Sequence, residues 1–332
     1  MVIILGIETS CDDTAAAVCH NGEIISSFVS SQDIHTAFGG VVPEIASREH
    51  EKYLSIAVSE VVRQADIQIR DLDAVAVTRG PGLMGALLTG VSFAQGLASG
   101  LEILCIGVDH IEAHIFANII SRQEFIYPFL CLLISGGHTQ IWRVDGLRCY
   151  QLLGETRDDA AGEAFDKGAR ILGLSYPGGP AIEKASKGGD EFAVDFPQAF
   201  LKSNDIEFSF SGLKTALLNY VHHQGKEYVR KHLKDIAASY QWAIVHILLS
   251  KLLQSVELTG IRSVAIGGGV AANMRLRSLS KEMLTGYNVL FPKKNLCTDN
   301  AEMVAFLAEK YLEAGFDDDT DIKVVPNLRL SS

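Results

Sequence analysis

A chain of 332 residues, 48% hydrophobic and 21% charged, is too long for one ordinary core and too apolar to be disordered, so two domains are expected. Its formal net charge of −11 argues against a broad, non-specific nucleic-acid binder, which needs an excess of Lys and Arg. A structured RNA on a local basic patch stays possible. The candidate patches are residues 230–234, Lys202, Lys214 and the pair Lys293 and Lys294, each of which is more often a solvated face.

The sequence predicts a cytoplasmic protein without membrane association. No apolar run reaches the ~20 residues that a membrane-spanning helix needs. Residues 1–8 enter a strand at once, without the basic segment and cleavage site of a signal peptide. The six cysteines are scattered and form no C-x-x-C pair, which is typical of reduced thiols.

The predicted elements of the first half alternate between strands and helices. Strands are predicted over 2–7, 15–18, 23–28, 74–78 and 103–108, and helices over 44–65, from the glycine turn 79–82 to about residue 99, and over 110–120. The pattern then restarts, with strands over 129–134, 139–144 and 263–266 and helices over 159–172, 213–221, 233–258, 272–284 and 300–314. Each half opens with a strand, a turn rich in glycine or hydroxyl groups and a second strand, which predicts two related α/β lobes with a cleft between them.

Two histidines four residues apart, His110 and His114, give the sharpest local signal. They share one face of a predicted helix that follows a strand, a spacing that lets two imidazoles reach one metal ion. A pair of ordinary core or surface histidines fits the same spacing. Glu112 suggests a zinc protease, but those enzymes place Glu directly after the first His. Here Glu112 turns away from the shared face and is predicted to form a capping box with Asp109.

Glycine-rich turns after strands are candidate sites for a phosphate, a carbonyl group or a nucleobase. One turn covers residues 135–139, and the other covers 267–273 and is predicted to open a helix. The second turn lacks the G-x-G-x-x-G spacing, so a Rossmann interpretation fails. A glycine turn between strands is also an ordinary hairpin connection.

Acidic side chains in three segments have both functional and structural interpretations. The turn 8–14 can hold phosphate oxygens or a metal, or it can be ordinary turn chemistry. In the segment 158–167 the acids recur on one helical face, and Asp166 is expected to point towards the glycine turn 177–180. Asp299, with Glu302 three residues later, is typical of the N-cap of the last helix.

Ten segments taken together make the chain resemble the TsaD family of tRNA N6-adenosine threonylcarbamoyltransferases. They follow the family's order and cover the chain nearly end to end. The segments are 5–14, 39–48, 80–83, 110–114, 135–140, 158–167, 176–180, 208–214, 267–273 and 297–300. A mild departure is Ala113, where the family commonly has Gly.

The resemblance implies an α/β fold with two RNase-H-like lobes of the actin, hexokinase and Hsp70 ATPase (ASKHA) type and an interlobe cleft. The N-terminal lobe would comprise 1–126 plus 296–332, and the C-terminal lobe 127–295. The implied reaction moves threonylcarbamoyl from threonylcarbamoyl-adenylate to the N6 amine of the adenosine adjacent to the anticodon, in tRNAs that read codons beginning with A, and releases AMP.

The resemblance also implies the residues of the site. The metal ligands would be His110, His114 and Asp299, so that Asp299 changes from a cap to a ligand, with Fe²⁺ as the ion and Zn²⁺ as the alternative. The contacts to the nucleotide and its acyl group would come from Leu133, Ile134, Ser135, Gly136, Gly137, Asp166, Gly179, Glu183 and Asn273. Of these, Asp166 and Glu183 would hold ribose hydroxyls. Asp12 is a candidate for taking the proton from the adenosine amine, and Glu8 is a weaker one.

The family works with a TsaB-like paralogue and a TsaE-like ATPase. The apolar stretch 86–98 is either a surface for such a partner or a buried helix. Three other functions compete with the main one: a metallopeptidase of the O-sialoglycoprotein endopeptidase type, a sugar-kinase or chaperone-type ATPase, and a non-catalytic scaffold.

Overall fold

A computed structural model describes residues 2–120, 127–201, 203–316 and 322–330. Lys202 and the domain boundary predicted after residue 126 lie outside these ranges. The chain forms two compact units, Met1–Phe125 with Thr298–Ser332 (unit 1) and Ile126–Cys297 (unit 2).

The described residues contain ten strands and ten α-helices. The strands are β1 Ile3–Glu8, β2 Asp13–His20, β3 Glu23–Ser31, β4 Ala74–Gly80, β5 Leu104–Asp109, β6 Phe129–Ile134, β7 Thr139–Gly146, β8 Cys149–Glu155, β9 Ser263–Gly267 and β10 Asn288–Leu290. The helices are α1 Pro43–Gln64, α2 Met84–Leu101, α3 His110–Phe116, α4 Ala161–Ile171, α5 Gly178–Ala185, α6 Ser211–Gln224, α7 Lys226–Lys231, α8 Leu233–Thr259, α9 Met274–Met283 and α10 Ala301–Glu313.

The two units contain sheets with the same topology. In unit 1 the strand order is β3-β2-β1-β4-β5, and in unit 2 it is β8-β7-β6-β9-β10. In each sheet the first three strands of the unit are antiparallel neighbours, and the fourth and fifth continue the sheet in parallel from the first. The predicted restart of the pattern is therefore confirmed. The strands β8 and β10 were not predicted from the sequence, and β10 is only three residues long.

Gly6 allows α10 to approach the sheet of unit 1 closely. A Cβ atom at Gly6 would lie 2.6 Å from the carbonyl oxygen of Ala301 and 2.7 Å from the backbone nitrogen of Ala305. Only glycine leaves room for this contact. Because β1 ends two residues later at Glu8, the residues that precede α10 are brought to the carboxyl end of that strand.

A long helix, α8, fills the core of unit 2. Among the residues that the structure describes, two helices, α2 and α8, are long and apolar enough to cross a membrane by length and composition alone. In α8, 78% of the relevant window is buried inside the protein, as expected of a core helix. In α2 the share is 33%, and this helix packs against α1 and β4.

Three predicted boundaries differ from the structure near the candidate sites. The strand predicted from Ala15 begins at Asp13, because Asp13 pairs with Ser31 of β3. The helix predicted to run from His110 to residue 120 is α-helical to Phe116 and continues as a short 3₁₀ turn. The helix predicted from residue 272 begins at Met274, after a separate 3₁₀ turn.

Candidate metal centre and donor-binding turns

The two histidines predicted to bind a metal lie on α3, which follows β5 without a break. Asp109 ends the strand and caps the helix, since its Oδ1 accepts hydrogen bonds from the N–H groups of Ile111 at 2.8 Å and Glu112 at 3.1 Å. One helical turn separates His110 from His114, and their ring centroids are 4.6 Å apart. Both rings are buried. The cap and the helical spacing therefore hold two imidazoles side by side.

Asp299 joins the two histidines from the far end of the chain. Its Oδ1 lies 3.1 Å from Nε2 of His114 and 3.5 Å from Nε2 of His110. The prediction that Asp299 caps the last helix is wrong. The cap is Asn300, whose Oδ1 accepts from the N–H of Met303 at 3.0 Å, because it immediately precedes the first helical residue. The carboxylate of Asp299 is instead directed at the imidazoles.

The fully buried carboxylate of Glu8 supports the ring of His110 from the opposite side. Oε2 of Glu8 lies 3.1 Å from Nδ1 of His110 and accepts a hydrogen bond from the hydroxyl of Thr78 at 2.6 Å. The N–H of Ser10 donates to Oε1 of Glu8 at 2.5 Å, and Oγ of Ser10 lies 3.2 Å from Nδ1 of His110. A carboxylate behind a metal-binding imidazole fixes the orientation of the ring. The sequence analysis proposed Glu8 only as a weak candidate base and missed this contact.

The buried charges at the site change the pKa values of two groups in opposite directions. Burial alone would raise the pKa of Glu8, but the neighbouring charge and hydrogen bond of His110 bring it below its usual value. Burial alone would lower the pKa of His110, but the carboxylates of Asp299 and Glu8 raise it to about 9. A cation that binds Nε2 of His110 must compete with a proton for that nitrogen.

The donor atoms fit a divalent transition metal. Two imidazole nitrogens and one carboxylate oxygen, one from each residue, lie within 4.8 Å of one another. This set suits Fe²⁺ or Zn²⁺ and leaves coordination positions for a substrate. Hydrogen bonds hold the ring of His110, whereas Nδ1 of the buried His114 has no hydrogen-bond partner among the described residues.

Glu112 lies on the same helix but takes part in a different contact. Its Oε2 accepts a hydrogen bond from the hydroxyl of Tyr311 on α10 at 2.5 Å, and the residue is buried. The prediction that Glu112 is structural is confirmed, but its carboxylate binds Tyr311 on α10, and of the predicted capping box the structure shows the half formed by Asp109. A carboxylate held in this way is not placed to act as the general base of a metallopeptidase.

Asp12 lies in the turn between β1 and β2, the turn that also contains Ser10. The backbone of this turn is fixed by the N–H of Gln32, which donates to the carbonyl of Asp12 at 3.0 Å. Ser10 lies at the candidate metal centre, since its Oγ is 3.2 Å from Nδ1 of His110. The turn that contains Asp12 is thus adjacent to the centre, and the role of its carboxylate in proton transfer stays a prediction.

A buried hydrogen-bond network holds this turn against α1. Nε2 of His50 lies 3.0 Å from the carbonyl oxygen of Cys11, and Nδ1 lies 2.8 Å from Oγ1 of Thr14 and 3.4 Å from Nε2 of Gln32. Because a carbonyl only accepts, Nε2 carries the hydrogen and Nδ1 accepts. Oε1 of Gln32 in turn lies 2.8 Å from Nε2 of His35. A neutral His50 satisfies all these contacts, and burial lowers its pKa.

In unit 2, the first predicted donor-binding turn follows β6. Leu133 and Ile134 are fully buried residues at the end of β6, where they pair with Gln140 and Thr139 of β7. Oγ of Ser135 accepts from the N–H groups of Gly137 at 3.3 Å and His138 at 3.0 Å, which closes the turn. A Cβ atom at Gly136 or Gly137 would meet nothing within 4 Å. Packing therefore does not require these glycines, and their open backbone is accessible to a ligand.

Asp166 lies on α4 and contacts the glycine turn at the start of α5, which also contains Gly179. Oδ1 of Asp166 accepts from the N–H of Gly178 at 2.7 Å, so the prediction that this side chain points to the glycine turn is confirmed. A Cβ atom at Gly178 would lie 2.5 Å from Cα of Asp166, whereas one at Gly179 would meet nothing within 4 Å. The pKa of Asp166 is raised by burial.

Glu183 and Asn273 each bind a backbone N–H group at the start of α9. Oε2 of Glu183 accepts from the N–H of Met274 at 3.2 Å. Oδ1 of Asn273 caps α9 by accepting from the N–H of Leu276 at 3.0 Å, and its Nδ2 donates to Oε1 of Gln241 at 2.8 Å. Both side chains thus have structural partners that the sequence did not reveal.

The predicted donor-binding residues are linked to one another through the backbone of unit 2. The N–H of Gly162, at the start of α4, donates to the carbonyl of Ser135 at 3.2 Å. A Cβ atom at Gly268 would lie 2.4 Å from the carbonyl oxygen of Ile134, so the second glycine turn packs directly on the end of β6. The structure brings the two glycine turns together at the carboxyl ends of β6 and β9, where α/β folds bind ligands.

A family model described as "TsaD: tRNA N6-adenosine threonylcarbamoyltransferase" matches residues 23–306. A tRNA N6-adenosine threonylcarbamoyltransferase of Thermosipho africanus is 48% identical over 332 residues, covering 99% of this chain and 100% of the relative. One of Syntrophotalea carbinolica is 44% identical over 330 residues, covering 98% and 96%. The matched family range contains His110, His114 and Asp299.

Solved structures with low sequence identity share the fold. Component A of the (R)-2-hydroxyglutaryl-CoA dehydratase of Acidaminococcus fermentans matches 94% of this chain and 100% of its own, with a TM-score of 0.56 and 15% identity. Full-length HypF matches 95% of this chain and 47% of its own, with a TM-score of 0.63 and 14% identity. The predicted α/β fold class of the actin and hexokinase type is confirmed.

Proposed function

The chain belongs to the TsaD family of tRNA N6-adenosine threonylcarbamoyltransferases, and on that premise we propose that His110, His114 and Asp299 hold the metal of its active site. The protein is an acyltransferase that modifies the N6 amine of an adenosine in tRNA. The observation that carries the proposal is the convergence of the two Nε2 atoms and the Oδ1 atom from residues far apart in sequence.

We propose that the acyl donor is threonylcarbamoyl-adenylate, that the acceptor is the adenosine adjacent to the anticodon, and that AMP leaves. The glycine turns support this assignment, because the exposed backbone at Gly136 and Gly137 carries no side chain and lets a phosphate or acyl oxygen approach closely. Gly179 lies at the start of α5, where the helix terminus favours an anion. The backbone of Leu133, Ile134 and Ser135 positions the turn that contains Gly136 and Gly137.

Asp166 and Glu183 are proposed to accept hydrogen bonds from the ribose hydroxyls of the donor. In each residue one carboxylate oxygen receives a backbone N–H, which fixes the side chain. An oriented carboxylate accepts from a hydroxyl without losing further rotamer freedom. Asn273, held by Gln241, positions the start of α9 beside Glu183.

The proposed ion is Fe²⁺, with Zn²⁺ as the alternative, because both accept two imidazoles and a carboxylate. When bound, such a cation supplies Lewis-acid polarisation of a carbonyl or phosphate oxygen.

Glu8 keeps the ring of His110 in place, and the network of His50 keeps the turn that contains Asp12 in place. Asp12 is proposed to take the proton that the adenosine amine loses. AMP is a good leaving group, so no protein nucleophile is required.

A TsaB-like paralogue and a TsaE-like ATPase are proposed as partners in the cytoplasm. For the paralogue, the structure offers an apolar surface on α1 and α2. Four large side chains there are 40–54% exposed: Tyr53, Ile56, Met84 and Leu88. Burial of such a surface on a partner is favourable. Support for the ATPase comes from the family resemblance.

The proposed function is tested by incubating the metal-loaded protein, with its partners, with unmodified tRNA and threonylcarbamoyl-adenylate. We expect threonylcarbamoyladenosine in the tRNA and an equal amount of AMP. The metallopeptidase alternative predicts cleavage of a glycoprotein that chelators abolish. Cleavage without any tRNA product would overturn the proposal.

A further inference from the structure

One segment of unit 2 is strongly basic although the chain as a whole carries a formal charge of −11. Residues 222–234 contain four cationic side chains and one acid, Glu227, and three histidines besides. The cationic residues are Lys226, Arg230, Lys231 and Lys234. In an acidic protein, such a segment is where a polyanion can approach.

These four cationic side chains point into solvent and are not neutralised by the protein. All four are exposed. In the described part of the chain they take part in no ion pair, whereas other cations of unit 2, such as Arg275 with Glu191, are paired. Unpaired exposed cations can neutralise phosphates, and the release of counterions condensed on the nucleic acid then drives binding.

Three of these side chains lie on α7, and Lys234 lies in the first turn of α8. Of the residues of α7, Val229 is buried, and it belongs to the core of unit 2. Tyr228 is 40% exposed, and its ring stacks on His232 with centroids 4.2 Å apart and an angle of 25° between the planes. Exposed aromatic rings between cationic side chains are typical of surfaces that bind RNA loops.

We propose that residues 222–234 form a docking surface for the phosphate backbone of the tRNA substrate, with Tyr228 as an aromatic contact. This inference rests on the proposed function, which supplies a structured RNA as the partner. The surface gives affinity and orientation and takes no part in group transfer.

The test compares a double charge reversal, R230E with K231E, with a matched control, K187E with K281E, whose lysines are also exposed and lie in unit 2. Both variants change the net charge equally. For the complete enzyme with its partners, we expect the KM for tRNA to rise about tenfold or more in the first variant, with kcat unchanged at saturating tRNA. In a titration with KCl, the slope of log K against log salt should become shallower by about two, one for each lost phosphate contact.

Y228A separates stacking from charge, because it should weaken tRNA binding without a change in the salt slope. Wild-type KM and salt slope in the charge-reversal variant would overturn the proposal. An equal loss in the control would overturn it as well, since net charge and not this surface would then be responsible. If wild type itself formed no threonylcarbamoyladenosine, the proposed function would fail; normal product with an unchanged KM in the variant contradicts the docking surface alone.

Discussion

Glu8 and Asp299 lie on opposite sides of one imidazole: Oε2 of Glu8 is 3.1 Å from Nδ1 of His110, and Oδ1 of Asp299 is 3.5 Å from its Nε2. The two carboxylates come from the end of β1 and from the segment before α10. Close packing of α10 on Gly6 brings both segments to the same end of the sheet. The proposed metal centre therefore depends on a backbone contact as well as on its proposed ligands.

The first prediction concerns Glu8→Gln, which keeps the shape of the side chain but removes its charge. The ring of His110 should lose its charged partner, and metal affinity should fall by about 10- to 100-fold. Chelator competition with quantified Fe²⁺ and Zn²⁺ measures this change. Glu112→Gln is the matched control, because that buried carboxylate contacts Tyr311 and should leave metal affinity within error of wild type.

The second prediction concerns Gly6→Ala. The added methyl group would meet the backbone of Ala301 and Ala305, so α10 must shift at a cost of about 3 kcal/mol, near the upper end for overpacking. Asp299 should move with the helix, and bound metal should decrease. The control is Gly96→Ala on α2, where a Cβ atom meets nothing within 4 Å. It should be neutral or stabilise the protein by ~0.5–1 kcal/mol in chemical denaturation.

The third prediction concerns pH and the network around His50. Burial lowers the pKa of His50 below that of the unfolded chain, despite the nearby carboxylates of Glu8 and Asp12, while His35 acts in the same direction as burial. The unfolded state then binds more protons, so the stability from a neutral His50 is fully present above the unfolded pKa of about 6.5 and is lost as the pH falls through the lower folded value.

His50→Gln should remove this part of the acid dependence. Melting temperatures of wild type and variant between pH 8 and pH 5 measure the difference. We expect the gap between the two proteins to narrow as the pH falls. A gap in melting temperature that stays constant across this range would mean that the pKa of His50 is the same in the folded and unfolded states, and it would contradict the prediction.

The fourth prediction concerns Gly137→Val in unit 2. A Cβ atom here would meet no heavy atom within 4 Å, so folding should be unaffected. If the donor binds against this backbone, its KM should rise about tenfold, equivalent to ~1.4 kcal/mol. Gly100→Val on α2, which is equally free of neighbours, is the control. An unchanged KM for the donor in Gly137→Val would remove this turn from the binding site.

Local patterns predicted the parts of the structure whose causes are local. The spacing of His110 and His114 placed both rings on one face, and the restart at Phe129 predicted the second sheet. Asp299 is 185 residues from His114 in sequence, so no spacing rule connects them, and chemistry alone favoured a cap. Asn300 took that role because it stands one residue nearer the helix. The family resemblance, not the pattern, indicated Asp299 as a ligand.

Contacts that depend on tertiary packing could not be predicted from local sequence patterns. Nothing near Glu8 indicates that its partner is His110, and nothing near Gly6 indicates that α10 packs there. The strand β10 is too short to show a period of two. The sequence located the two glycine turns after β6 and β9, but the structural partners of Glu183 and Asn273 required the folded chain.

The central claim is that this chain transfers threonylcarbamoyl to tRNA at the centre formed by His110, His114 and Asp299. The most direct measurement is the amount of threonylcarbamoyladenosine in tRNA from cells depleted of the protein and complemented with wild type or with His114→Ala. We expect the nucleoside to disappear on depletion, to return with wild type and to stay absent with His114→Ala expressed at the same level. Normal nucleoside levels in the depleted cells, or full restoration by His114→Ala, would contradict the account.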